Sequence, residues 1–291
     1  MKRPYIKYIA SLLLFGSNGI VASQISLSSY HIVLMRTLIG SIFLLLVYLV
    51  VQRTFSFYKY PKDLLYISGS GVAMGLCWIF LYEAYSQIGV SIASLLYYTG
   101  PVIVMVLAPL IFKERLTAAK VIGFITVFCG VLLVNGGSSG QLNAWGVICG
   151  CMSAVMLAVL IITNKKAENI TGIENSLLQL ISSFLTVAVF VGLKNGGYSI
   201  LVASKDWLWI LLLGVLNTGI GCYLYFSSIS YLPVQTVAIL GYLEPLSAVV
   251  LSIPILGESM LPLQAVGASL ILGGALFGEC VKESPRKRIG E

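Results

Sequence analysis

The sequence predicts an all-α membrane protein, with ten transmembrane helices arranged as two inverted five-helix repeats. Three observations carry that expectation. Of 291 residues, 58% are hydrophobic and 10% charged, with mean hydropathy +0.96, whereas an ordinary soluble domain carries about 25% charged residues. Second, Pro101, Glu114, Gly123 and Gly130 reappear at a fixed shift of 144 as Pro245, Glu258, Gly267 and Gly274. Third, Lys and Arg are strongly partitioned among the loops.

Between Tyr82 and Val134 the same shift gives 12 identities in 53 positions, among them Ser86, Val90, Leu96 and Tyr98. Apolar matches are cheap in such a chain, but proline, glutamate and glycine each need a backbone or charge reason to recur. The expected division is residues 1–140 for the first repeat and 141–291 for the second.

A span needs about 20 apolar residues to cross roughly 30 Å of hydrocarbon, and must be helical because lipid leaves no water for an open backbone. Apolar runs broken by Gly, Pro, Asn and charge place the ten helices at 6–25, 29–51, 64–85, 90–112, 117–134, 143–163, 174–193, 207–228, 233–256 and 260–280. The first run follows Lys2, Arg3 and Lys7, but is too long and too poor in cleavage residues for a signal peptide. With the N-terminus in the cytoplasm, 15 of the 18 Lys and Arg residues fall on that side, Lys194 and Lys205 fall outside, and Arg36 lies within a span. The positive-inside rule then puts both termini in the cytoplasm. Five spans per repeat is an odd number, so the second copy enters the membrane inverted, a plan that suits alternating access.

The net charge of +7 follows from this topology and from contact with anionic lipid, and predicts no nucleic-acid partner. The six cysteines lie in or beside apolar segments, without the spacing of a metal site or a disulfide framework. No cofactor is expected. Metalloprotease, nucleophile-elbow and phosphate-loop motifs are absent, which argues against an intramembrane enzyme or an ATP-driven pump. A channel, which usually needs rings of like groups, fits a pseudo-twofold chain poorly.

Several ordered stretches resemble the EamA-like branch of the drug/metabolite transporter superfamily. They are Tyr30 through Arg36, Gly100-Pro101 through Lys113-Glu114-Arg115, Leu243-Glu244-Pro245, and Gly257-Glu258. The resemblance implies ten helices, cytoplasmic termini, a bacterial inner membrane, and export or exchange of small metabolites, amino acids among them. A transporter of the same fold that moves drugs or other non-amino-acid solutes remains the alternative.

Charges deep in a span are functional candidates by default. Arg36 lies roughly 10 Å into its helix and Glu244 roughly 16 Å into its own, at about 1.5 Å per residue. A guanidinium fork suits a carboxylate and a carboxylate suits an ammonium, so the two charges match the ends of a zwitterion. The competing reading pairs them with each other or with backbone carbonyls. Pro101 and Pro245, expected mid-helix, mark a hinge and free the carbonyls of Tyr97 and Gly241. Glu83, near the outer end of its helix, reads as a gating residue. Gly71, Gly75, Trp78 and Tyr82 share one helix face, and so do Asn217, Gly221 and Tyr225. Trp78, Tyr82, Tyr97, Tyr98, Tyr225 and Tyr242, with the amides of Asn18 and Asn217, complete the candidate substrate site. His31 sits near the outer mouth. Coupling to a proton or a counter-substrate is left open, as is a monomer or homodimer.

Overall fold

The computed structural model describes residues 2–51, 55–114, 116–135, 143–195, 202–256 and 262–280. Glu258, Arg53, Arg115 and the C-terminal basic cluster lie outside these residues. Among those described, all regular structure is helical. Seven segments are long and apolar enough to cross a membrane by length and composition: Arg3–Ala22, Ser29–Val51, Pro61–Ile88, Ile92–Phe112, Ala144–Lys165, Gly172–Lys194 and Ser204–Ile229. The other three expected spans correspond to helices that are shorter or interrupted.

The first span is broken into α1 (Lys2–Gly16) and α2 (Asn18–Ala22). Gly16 explains the close approach there. A Cβ on it would meet Ala248 N at 2.8 Å and the Glu244 carbonyl at 2.9 Å. α3 is Ser29–Val51, and α4 (Pro61–Ile88) begins with proline at its first turn, where the missing N–H costs nothing. Gly89, at φ +78, then separates α4 from α5 (Val90–Tyr97).

The expected fourth and ninth spans are not single kinked helices. Each is two helices joined by a turn: α5 with α6 (Gly100–Phe112), and α12 (Val234–Leu240) with α13 (Leu243–Leu256). Pro101 and Pro245 therefore stand in the first turn of a new helix, where proline is tolerated, instead of mid-helix. The Gly241 carbonyl expected to be free accepts the Glu244 N–H at 3.2 Å.

α7 (Ala118–Asn135) and α14 (Pro262–Cys280) form the most extensive helix pair. They run antiparallel and nearly in backbone contact. A Cβ on Gly123 would lie 2.6 Å from the Gly274 carbonyl oxygen, one on Gly274 would lie 2.7 Å from that of Gly123, and one on Gly130 would lie 2.6 Å from that of Gly267. Residues matched by the 144 shift thus exchange partners, as a twofold axis across the two helices requires.

The remaining helices are α8 (Ala144–Lys165), α9 (Gly172–Asn195), α10 (Trp207–Leu211) and α11 (Gly221–Ile229), with a π-helical segment over Leu212–Ile220. α8 is capped by Asn143, whose side chain accepts the Trp145 N–H at 2.9 Å. α4 packs on α8 and α9, and α3 on α9 and the π segment. Gly71 and Gly75 face α9, with Gln179 O and Thr186 Cβ 2.6 and 2.9 Å from their built Cβ positions, so these glycines serve helix packing. Two buried aspartates tie loops to helix starts. Asp63 accepts the Asn169 N–H at 2.6 Å, and Asp206 accepts the Ser26 N–H at 3.0 Å.

Candidate functional site

The helix breaks converge on a cavity of ≈ 790 Å³, counted out to its open mouth. α1 contributes Tyr8 and Phe15, α2 Asn18, α3 Arg36, and α4 Cys77 and Trp78. The α5–α6 turn gives Tyr97, Tyr98 and Pro101, α11 gives Cys222 and Tyr225, and the α12–α13 turn gives Gly241 and Glu244. Leu157, Leu160, Ile161 and Val237 add apolar wall.

Arg36 is buried, at 4% exposure, and its anchoring depends on the π segment. Widening the turn lets Thr218 Oγ1 donate to the Leu213 carbonyl five residues back at 2.8 Å, and the same oxygen accepts Arg36 Nε–H at 2.9 Å. Arg36 Nη2 donates to Asn18 Oδ1 at 3.4 Å, and the guanidinium carbon sits 4.7 Å from the Trp78 ring centre. Stacking and hydrogen bonding together fix the plane of the fork. Its Nη1 has no partner among the described residues, yet is not sealed from the cavity.

Glu244 lies in the first turn of α13, where the helix dipole favours an anion. Its backbone is held by the Gly241 carbonyl and by Ser247 Oγ, which donates to the Glu244 carbonyl at 2.8 Å. The carboxylate makes no hydrogen bond to a described residue, and neither oxygen is sealed off. The expected alternative of an Arg36–Glu244 lock is not formed, since no nitrogen–oxygen approach between them falls within 4.0 Å. The ion pair found among the described residues is Lys194–Glu83, at 3.3 Å.

Aromatic rings surround the carboxylate. Tyr8 and Tyr225 have ring centres 5.4 Å apart, Phe15 and Tyr225 5.8 Å, and Tyr97 and Tyr98 5.3 Å. The Tyr8 hydroxyl donates to the Val237 carbonyl at 2.8 Å, pinning α12 to α1. Such rings, with negative faces, suit an ammonium or an apolar side chain.

Eight of the sequence candidates therefore meet at one cavity: Asn18, Arg36, Trp78, Tyr97, Tyr98, Pro101, Tyr225 and Glu244. Tyr82, Glu83, Asn217, Tyr242 and Pro245 lie outside its lining. Asn217 is fully buried and donates to the Leu14 carbonyl at 2.9 Å and Ser17 Oγ at 2.7 Å, holding the break between α1 and α2. Gly221 and Tyr225 face the same helix, both meeting Phe15, so Asn217 keeps the expected face but is spent on the break. Tyr242 is buried, its hydroxyl donating to the Tyr98 carbonyl at 2.8 Å, which bridges the two helix breaks. Glu83 accepts from Tyr30 and from Gln87 as well as pairing with Lys194, tying α3, α4 and α9 together. Tyr82 packs on Tyr85. Tyr8, Phe15, Cys77 and Cys222 were missed. Tyr8, Leu12 and Phe15 recur at i, i+4 and i+7, a helical face that could have revealed them.

The EamA-like transporter family model matches the chain twice, at residues 3–136 and 144–277. The uncharacterized transporter YxxF of Bacillus subtilis is 27% identical over 92% of this chain and 87% of its own. The uncharacterized transporter YetK of the same organism is 25% identical over 97% and 88%. A chain of known crystal structure superposes with TM-score 0.80 over 95% of this chain and 97% of that one, at 17% identity, a likeness of fold alone. The paired family match, the two broken helices and the membrane-spanning composition agree: the chain is a multi-pass membrane protein that belongs to the EamA-like transporter family.

Proposed function

We propose that this protein is a secondary transporter of small polar metabolites, amino acids or related amines, working by alternating access of two inverted repeats. The carrying observation is the pair Arg36 and Glu244. Both charges open onto one cavity, they are not spent on each other, and each keeps unpartnered hydrogen-bonding capacity. A carboxylate seated on the Arg36 fork and an ammonium seated on Glu244 would satisfy both, with apolar and aromatic walls around the side chain. The reciprocal α7–α14 seam supports repeats near 1–140 and 141–291, the charge partition supports cytoplasmic termini, and the family resemblance supports a bacterial inner membrane. Export or exchange is favoured, with no catalytic step.

The test is ligand-induced stabilisation of the purified protein by amino acids, by their decarboxylated amines and by their deaminated acids. Zwitterions at 100 times Kd add about 2.7 kcal/mol. Glu244→Gln abolishes the effect for every ammonium-bearing ligand, and Arg36→Lys weakens zwitterions more than amines. A panel in which no member stabilises the protein or crosses liposomes containing it refutes the reading.

A further inference from the structure

Glu114 stands two residues beyond the end of α6, after Lys113 in the left-handed conformation at φ 55. Its Oε1 accepts the Val234 N–H at 2.8 Å and its Oε2 the Gln235 N–H at 3.2 Å. These are first-turn amides of α12, and the helix cannot cap itself because its N-cap residue is Pro233, with no side-chain acceptor. From the other side Lys165, at the end of α8, donates to the carbonyls of Ile229 at 2.9 Å, Ser230 at 3.2 Å, and Leu232. The α11–α12 turn is thus gripped by an anion on its amides and a cation on its carbonyls, the signs that helix ends favour.

Beside this grip the packing is incomplete. Among the described residues, Gln235 is fully buried with neither side-chain amide atom partnered, and Ser230 Oγ is buried without a partner. Buried polar atoms left unpaired are costly, and mark a place not optimised for a single arrangement. The matching place in the first repeat is arranged differently. α12 packs against α6, whereas α5, its counterpart at the 144 shift, makes no comparable contact with α13 among the described residues and rests on α8 instead.

We infer that Glu114 is the latch of the gate on the lysine-rich face. Its carboxylate holds α12 against α6 and shuts the cavity there, and access from that face requires the carboxylate to leave the α12 amides. This rests on the alternating-access reading above. It makes Glu114 a conformational residue, with no contact to substrate.

Hydrogen exchange of the full-length protein in lipid nanodiscs tests the latch without any substrate. In Glu114→Ala, amides of the α11–α12 turn exchange about tenfold faster. Amides of α5 exchange more slowly as the opposite side closes, and those of the α7–α14 seam are unchanged. If Glu114→Ala does not yield folded protein, Val234→Pro removes the principal donor. Pro233, at φ −54 and ψ 144, already has the backbone that must precede a proline. Faster exchange at α12 with α5 unmoved in the folded variant would make Glu114 a plain helix cap and overturn the latch, as would loss of folding in both variants. Failure to find a transported solute would sink the substrate reading and leave the exchange result standing.

Discussion

The seam between α7 and α14 looks the same from either repeat, whereas α5 and α12 occupy matching places and pack differently. At the seam Gly123 meets Gly274 and Gly130 meets Gly267, backbone against backbone. At the other site α12 is clamped to α6 through Glu114, and α5 lies on α8, where Leu96 fills the space beside Gly150. Glycine seams have no side chain to reorient and transmit a fixed geometry. Short helices held by end caps can be exchanged at the cost of a few hydrogen bonds. On the alternating-access reading proposed above, the seam is the static axis of the molecule and α5 and α12 are its moving parts.

The largest way to break the contrast is at the seam. Gly123→Leu combined with Gly130→Leu places side chains where carbonyl oxygens already lie 2.6 Å from a Cβ, and should abolish folded protein in size-exclusion chromatography. Single Gly→Ala changes at positions 123, 130 and 274 should each cost about 1–3 kcal/mol by thermal unfolding. None of them should alter exchange at α5 relative to α12. Next comes Gly150→Val, whose Cβ would meet Leu96 Cδ1 at 2.6 Å. It should push α5 off α8 and change exchange at α5 alone, at about 1 kcal/mol or more. Lys165→Met removes the donor to three carbonyls at the α11 end. It should loosen the α11–α12 turn by about 1 kcal/mol, with the seam unaffected. Smallest is Gly273→Ala, adjacent to the seam but with nothing within 4 Å of its Cβ position. Its unfolding should stay within about 0.5 kcal/mol of the parent.

Much of this contrast was legible in the sequence. The four residues of the 144 register include Glu114 and two seam glycines, and Pro101 and Pro245 mark both helix breaks. Proline identity located the breaks but not their form, because a proline is equally compatible with a kink and with a new first turn. The register also hid a second repeat contact. Asp63 with Asn169 and Asp206 with Ser26 are counterparts, but a one-residue slip puts both at a shift of 143. Periodicity puts Asn217 on the right face but cannot show that its amide is spent on Leu14 and Ser17 at the α1–α2 break. Tyr8 and Phe15 are hard to read from sequence because the charges of their helix, Lys2, Arg3 and Lys7, lie at its end and report topology, although the i, i+4, i+7 spacing is visible. The asymmetry between α5 and α12 is a matter of packing between elements far apart in sequence, which no local sequence pattern encodes.

Counterflow in liposomes tests the central claim most directly. Purified protein is reconstituted with an unlabelled amino acid inside, and entry of the labelled amino acid is followed with time and concentration. The account predicts saturable entry, accelerated by internal substrate and abolished in Glu244→Gln. Entry that neither saturates nor responds to internal substrate, or that persists unchanged in Glu244→Gln, would contradict it.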